Sequence, residues 1–354
     1  MKNGSNILNN LYVVESPLQA LCALEVSLGK AEENHSIIAR LSGPSRQQNN
    51  QQILNIIKLR EWNNTVIIEP ITSNNRVIAK LLKLNQLATI KWKFKSKVDS
   101  LYIGEFRYEF MHQIRCAVNA PNVILLDDGA ATVKVIQDYI KNNRFHPDLS
   151  YSPKNIFKRI VYLKTYGKYL DKKILNKKIN VLTAFAKKDS TYGIDELKFD
   201  NIKLIYGSQK DINDHEVYFY GSKYSEAGIV SLSYEINFLG LIKKYYEAKG
   251  LRVTYFPHRD ESEKKLKILA KELGFTIKRN SQIAELQLLN STTLPKEIAG
   301  IYTSTLNNIK CLFPELRVTS FRLNLNKIDK THRNNISDIY QYYSELDINI
   351  ESFD

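Results

Sequence analysis

The sequence is short of cysteine, and the three it has, Cys22, Cys116 and Cys311, are odd in number and far apart. They offer neither a disulfide framework nor a metal cluster, which points to a reducing compartment. Long apolar runs are missing too: no stretch reaches the roughly 18 residues of a membrane span. Residues 1–10 are polar and carry no apolar h-region, so no signal peptide is expected and the expected location is the cytoplasm. Acid is scarce against base. Asp and Glu number 37 against 51 Lys and Arg, a formal charge of +14. A field of that sign calls for an anionic partner: nucleic acid, a membrane surface or a phosphorylated substrate. Internal repeats and low-complexity runs are also absent.

What is present reads as a soluble α/β protein. At 354 residues the chain exceeds one ordinary core and suits two domains. Hydrophobic residues at 43% and charged residues at 25% are globular values. Residues 9–15 read as a strand; Ser16 and Pro17 then cap and open a helix with Leu18, Leu21, Leu24 and Leu28 on its apolar face. Strands and helices alternate from there to about residue 142, which argues for a parallel sheet covered on both faces. Residues 190–215 are polar and are expected to carry the interdomain linker. A second alternating block begins at Glu216, so the expected domains are 1–205 and 206–354. Between 151 and 180, nine Lys or Arg face one acid, Asp171, with Tyr162, Tyr166 and Tyr169 interleaved. That composition suits contact with an anionic membrane surface, and equally a solvated basic face.

The stretch around which the chain is organised is Asn122-Val123-Ile124-Leu125-Leu126-Asp127-Asp128-Gly129. Four apolar residues end in two carboxylates and a glycine, as a buried central strand does at a functional loop. Ligands of open α/β sheets bind outside the carboxyl ends of the strands. Asp-Gly is also ordinary turn chemistry. In the second block, Pro257-His258-Arg259 ends a strand and Thr303-Ser304-Thr305 precedes a helix. A histidine, an arginine and hydroxyls near a helix start suit a phosphate. Carboxylates in one domain and phosphate binders in the other suggest group transfer to an activated hydroxyl. Adjacent acids without His or Cys do not make the usual spaced metal set.

Asp127-Asp128-Gly129, then His258, then Thr303-Ser304, occur in the order of a D/E-D/E-G motif, an HP motif and a Ser/Thr pair. In this the chain resembles the bacterial sialyltransferases, most closely glycosyltransferase family 52, whose members act on lipooligosaccharide or capsule. Tyr12 to Gln19, Tyr102 to Tyr108 and Leu294 to Ile298 resemble the same family, so the likeness covers nearly the whole chain. The resemblance implies a GT-B fold of two Rossmann-like doubly wound domains facing a cleft. It implies an inverting, metal-independent transfer of sialic acid, or another nonulosonic acid, from its CMP ester to a sugar hydroxyl, galactose being the expected acceptor. A polysialyltransferase is the sister reading. Residue by residue, it makes Asp127 the general base, with Glu226 as rival. His258 assists departure of CMP. Gly221, Ser222, Arg259, Thr303, Ser304 and Thr305 bind the donor, and Glu285 holds the cytidine ribose. Ser16, Gln19, Glu105 and Asp128 line the acceptor side. Arg259 breaks the HP motif, while an intact His146-Pro147 lies in the first domain. The implied partners are the donor, a lipid-linked or oligosaccharide acceptor and the inner face of the cytoplasmic membrane; a homodimer is compatible. A basic nucleic-acid-binding protein is the rival class, but no reading helix or stacking pair supports it. A catalytically dead glycan-binding relative is the third reading.

Overall fold

The computed structural model describes residues 7–149, 160, 167–185 and 188–353. The chain forms two compact units, residues 1–197 and 198–354.

The first unit is a 7-stranded sheet of order β3-β2-β1-β4-β5-β6-β7. Its strands are β1 Asn9–Val14, β2 Asn34–Arg40, β3 Asn64–Ile68, β4 Ser100–Ile103, β5 Asn122–Leu126, β6 Asn180–Thr183 and β7 Ile194–Glu196. The helices between them are α1 Pro17–Leu28, α2 Gln47–Ile57, α3 Arg76–Phe94, α4 Glu109–Val118, α5 Ala130–Asp138 and the short α6 Lys172–Leu175. Every strand pair is parallel. Parallel pairs need crossovers, and the helices they bring cover both faces of the sheet. Leu11, Tyr12, Val13 and Val14 are accordingly 0% exposed along β1. Ser16 caps α1 through its Oγ, 3.3 Å from the Gln19 N–H that donates to it, and Pro17 opens the helix.

The second unit repeats the topology in a 6-stranded sheet of order β10-β9-β8-β11-β12-β13. Its strands are β8 Asp211–Tyr220, β9 Arg252–Phe256, β10 Thr276–Ile277, β11 Thr293–Gly300, β12 Arg317–Arg322 and β13 Asn349–Ser352. Its helices are α7 Asp200–Tyr206, α8 Leu232–Glu247, α9 Glu263–Lys271, α10 Ala284–Asn290, α11 Ser304–Leu312 and α12 Arg333–Glu345. Its pairs are parallel as well. Both sheets are doubly wound with the strand order of a dinucleotide-binding fold, the two building blocks of GT-B. In each, the order reverses between the first and fourth strands, and that switch point is where such sheets take ligands.

The polar stretch 190–215, expected to carry the linker, contains the division between the units after Leu197 and is largely folded. It supplies β7, α7 and the first half of β8. The division into units falls before α7, while the expected 205/206 boundary falls at its end. Half of the basic segment 151–180 lies outside the described residues. Of its described part, Lys172 and Lys173 sit on α6, and the Lys177 ammonium donates to Asn119. Among the described residues no helix is long and apolar enough to cross a membrane.

Candidate functional site

The switch point of the first sheet lies between β1 and β4. The turns after β1, β4 and β5 place Glu15, Gln19, Glu105 and Asp128 together. Gln19 is 1% exposed and ties these turns to one another. Its Oε1 accepts the Glu15 N–H at 2.9 Å, and its Nε2 donates to Asp128 Oδ1 at 2.8 Å. Gly104 makes this crossing possible, because a Cβ there would lie 2.2 Å from Gln19 Oε1. Glu105 is gripped by Arg107: Oε1 accepts the Arg107 backbone N–H at 2.8 Å and its Nε–H at 3.0 Å, and Oε2 accepts Nη2 at 3.0 Å. Arg107 also reaches Asp128 Oδ2 at 3.8 Å.

Of the two aspartates of the central stretch, the one expected to be the base, Asp127, is the buried one. Asp127 is 0% exposed. Its Oδ1 accepts the Gly129 N–H at 2.8 Å and the Thr132 hydroxyl at 3.1 Å, and its Oδ2 accepts the Ala184 N–H at 2.8 Å. It orders the β5 turn and ties it to the end of β6. Burial pushes its carboxyl up to about 6, against the hydrogen bonds that pull it down. Asp128 instead keeps 24% of its side chain exposed. It lines a recess with Glu105, Phe106, Leu125, Thr132 and Val135. Burial first, then the neighbouring Glu105 charge, push Asp128 up to about 8. Burial also works against Glu105, but the Arg107 hydrogen bonds outweigh it and hold Glu105 below the usual carboxylate value. These influences favour a proton on Asp128 and a charge on Glu105. Adjacent residues of an extended chain project to opposite sides, so only one aspartate can face outward. That one is Asp128.

The switch point of the second sheet lies between β8 and β11. Gly221 and Ser222 follow β8; Thr303, Ser304 and Thr305 follow β11. A Cβ at Gly221 would lie 2.1 Å from the Tyr255 hydroxyl, so the β8 turn is drawn tightly over β9. Thr303 caps α11, its Oγ1 accepting the Thr305 N–H at 3.4 Å. Two tyrosine hydroxyls hold this turn. Tyr224 accepts the Tyr302 N–H at 3.1 Å and donates to the Tyr302 carbonyl at 2.9 Å. Tyr343 does the same for Thr303 at 3.1 and 2.7 Å. A helix N-terminus held in this way, with three hydroxyl residues, is suited to an anion.

His258 follows β9. Its Nδ1 accepts the Asp260 N–H at 3.1 Å, and its own backbone N–H donates to Glu261 Oε1 at 2.6 Å. Arg259 beside it is half-buried. His146 lies in the first unit, Nδ1 2.7 Å from the Pro147 carbonyl. Glu285 is 5% exposed in the first turn of α10 and accepts Asn308 Nδ2 at 2.8 Å. Burial raises its pKa. Glu226 is committed elsewhere than to a base role. Its Oε1 accepts the Ser262 N–H at 2.8 Å and its Oε2 lies 3.0 Å from Lys265 Nζ. Those partners outweigh burial and hold it below the ordinary value.

Sequence reasoning missed the hub behind this site. Lys265 is 0% exposed, with Nζ at 3.0, 2.7 and 3.1 Å from Glu226, Glu235 and Glu261 and 3.0 Å from the Ser222 carbonyl. Burial would lower its pKa, but Glu261 and Glu235 raise it. Burial pushes Glu261 up to about 7 even so. The hub joins the turn after β8 to the turn after β9, and Lys223–Asp260 at 3.1 Å joins them again. A faint signal existed: Lys265 shares the inward face of α9 with Leu266 and Leu269. Among the described residues no group of three or more His, Cys, Asp or Glu could hold a metal ion.

With these geometries in place, comparison adds a family. The family model described as Alpha-2,8-polysialyltransferase (POLYST) matches residues 10–322. No curated protein matches the chain. Among solved structures, a protein from Listeria monocytogenes described as a UDP-N-acetylglucosamine 2-epimerase is 9% identical, with a TM-score of 0.50 over 94% of this chain and 82% of that one. Another UDP-N-acetylglucosamine 2-epimerase is 11% identical, with a TM-score of 0.50 over 96% and 88%. A sialyltransferase from Photobacterium damsela is 10% identical, with a TM-score of 0.44 over 98% and 82%. At these identities the two epimerase structures speak for the fold alone.

Proposed function

From the premise that the chain belongs to the alpha-2,8-polysialyltransferase family, we propose that it transfers sialic acid from CMP-sialic acid to a hydroxyl of a glycan acceptor, with inversion and without a metal ion. The observation that carries the reading is the Glu105–Asp128 pair at the switch point of the first sheet, with the half-buried Asp128 lining a recess. Asp128 takes the place of general base that the sequence motif suggests for Asp127. In its ionised form it accepts the proton of the attacking hydroxyl. Glu105 and Arg107 set the pH at which it becomes available, and Gln19 orients it. Thr303, Ser304, Thr305 and the N-terminus of α11 are suited to the donor phosphate, and His258 to the charge that gathers on departing CMP. The transition state of glycosyl transfer is oxocarbenium-like, so stabilising the leaving phosphate counts beside the base.

The family's name favours sialic acid itself as the acceptor sugar, making an α-2,8 bond, over the terminal galactose expected from family 52. The charge of +14 is in keeping with an anionic donor and an anionic growing chain. The test is mass spectrometry of products from CMP-sialic acid with an oligosialic and a galactose-terminated acceptor, each with and without excess chelator. Elongation of the oligosialic acceptor, undiminished by chelator, is the expected result. Transfer to galactose alone replaces the acceptor assignment. Loss with chelator and rescue by magnesium removes the metal-free reading. No CMP release under any condition removes the enzyme reading altogether.

A further inference from the structure

Helix α3 has two apolar faces, and a helix on the surface of a globular unit needs one. The inner face, Leu87, Ile90 and Phe94, belongs to the core cluster of the first unit. The outer face is built from Val77, Ile78, Leu81, Leu82 and Trp92, at 66, 47, 60, 44 and 82% exposure. Exposed Asn85, Ala88 and Thr89 complete the stripe between Leu82 and Trp92. At 100° per residue, these positions cluster on one side along four turns of the helix. Trp92 lies near the centre line of the stripe.

The charge around the stripe is of one sign. From Pro70 to Val98 there is no Asp or Glu, against Arg76, Lys80, Lys83, Lys91, Lys93, Lys95 and Lys97. Lys83 is turned inward, 3.7 Å from Glu109. By helical spacing Lys80 and Lys91 flank the stripe on one side and Lys93 on the other, with Lys95 and Lys97 just past the helix end. An exposed apolar face rimmed by cations and centred on a tryptophan is the pattern of a helix lying in a membrane interface.

We propose that α3 docks this protein onto an anionic lipid bilayer, with the Val77–Trp92 stripe in the headgroup layer and the flanking lysines on lipid phosphates. The charge selects the occupant. A second copy docked stripe to stripe would bring like charges together. A soluble anionic polymer would satisfy the lysines but leave Leu81 and Trp92 in water. Of these three an anionic bilayer alone meets both. The proposal places the membrane contact in α3 rather than in the basic segment 151–180, and it stands apart from the assignment of the base: transfer to a soluble acceptor can succeed whether or not the protein docks.

The experiment is co-sedimentation of the full chain with phosphatidylcholine vesicles, with and without phosphatidylglycerol, followed also by tryptophan fluorescence. The expected result is salt-sensitive binding to the anionic vesicles only, with a blue shift from Trp92. Leu81→Ser with Trp92→Ser, both at exposed positions, should weaken binding about tenfold or more. Lys93→Glu with Lys95→Glu and Lys97→Glu should weaken it at least as much. Unchanged circular dichroism and soluble-acceptor transfer in both variants tie the loss to the surface. Undiminished vesicle binding by the Leu81/Trp92 variant overturns the proposal, as does equal binding to both vesicle types. Dissociation of a dimer by that variant in sedimentation velocity assigns the face to a second copy instead. Binding to dextran sulfate without binding to vesicles assigns it to a soluble polyanion and likewise overturns the proposal.

Discussion

The carboxyl ends of β1, β4 and β5 gather Glu15, Glu105 and Asp128. Those of β8, β9 and β11 gather Ser222, His258, Thr303, Ser304 and Thr305. Backbone topology at the two switch points is the same, so the difference lies in the turns. In the first unit burial and the Glu105 charge favour the protonated form of Asp128. In the second, acids are numerous too, but Lys265 neutralises them from behind, and backbone N–H groups and hydroxyls are left at the front. One topology thus yields a surface suited to taking a proton and another suited to holding an anion. The scaffold fixes where chemistry can occur, and the charge balance of the turns decides which chemistry it is.

The largest expected effect breaks the first half of this contrast alone. Asp128→Asn keeps the shape and the Gln19 contact but cannot take a proton. Transfer should fall by about 100- to 10,000-fold, the usual contribution of a positioned base. CMP affinity, measured by titration calorimetry, should stay within about twofold, since a lost proton acceptor leaves uncharged contacts in place. Normal transfer by this variant would return the base role to another acid.

Breaking the second half calls for Lys265. Lys265→Met leaves Glu226, Glu235 and Glu261 facing one another without a cation. Loss of one partner from a buried ion cluster costs about 3–5 kcal/mol. Chemical denaturation at pH 7.5 should show a loss of that size, together with weakened CMP binding, as the turns holding Ser222 and His258 come apart. The deficit should shrink as pH falls. Glu261 already has a raised pKa in the folded state, and without Lys265 it rises further. An acid whose folded pKa is raised favours folding below its unfolded value, and that contribution is lost as pH climbs through the folded value. A pH-independent deficit would mean that packing, not charge, is what Lys265 supplies.

How far the sequence revealed all this follows from where polarity alternates. Strand–helix alternation, the Ser16–Pro17 helix start and the β5 stretch were legible, because buried strands and capped helices leave strong local patterns. Within 190–215 the elements were illegible because α7 and the first half of β8 are largely exposed and so look like linker. The orientation of the two aspartates was illegible for a related reason. β5 is covered on both faces, so Val123 to Leu126 are all apolar and carry no alternation from which to read the parity of Asp127 and Asp128. Glu226 stood as the rival base because its partners, Ser262 and Lys265, lie far along the chain.

A smaller effect separates the two aspartates from each other. Asp127→Asn puts an amide N–H where a carboxylate oxygen now accepts a backbone donor. With Oδ1 kept toward Gly129 and Thr132, the amide nitrogen meets the Ala184 N–H, and a buried donor goes unsatisfied. That costs about 1–3 kcal/mol. Thermal unfolding should reveal the loss, while the folded fraction transfers at close to the parental rate. A hundredfold loss of rate at full stability would restore Asp127 as the base.

The smallest effect sharpens the contrast most, because it moves a pH profile rather than removing an activity. Asp128 is pushed upward by burial and then by the Glu105 charge, so it ionises only near pH 8. A base must be ionised to act, and kcat/KM should therefore climb with pH across the neutral range. Glu105→Gln removes the neighbouring negative charge while keeping the length of the side chain. It also frees Arg107, now 3.8 Å from Asp128, to pair with it more closely. Both changes favour ionised Asp128, so the ascending limb should move down by about one pH unit, the scale of a single charge contact. At pH 6.5 the variant can then equal or exceed the parent, and at pH 9 it cannot, because both have ionised Asp128 there. A merely structural role for Glu105 would lower the rate at every pH without moving the limb. Asp128→Asn in the same assay should flatten the limb. A limb that stays in place in Glu105→Gln would show that the Glu105 charge does not favour a proton on Asp128, and the first sheet would then lose the property that sets it apart from the second.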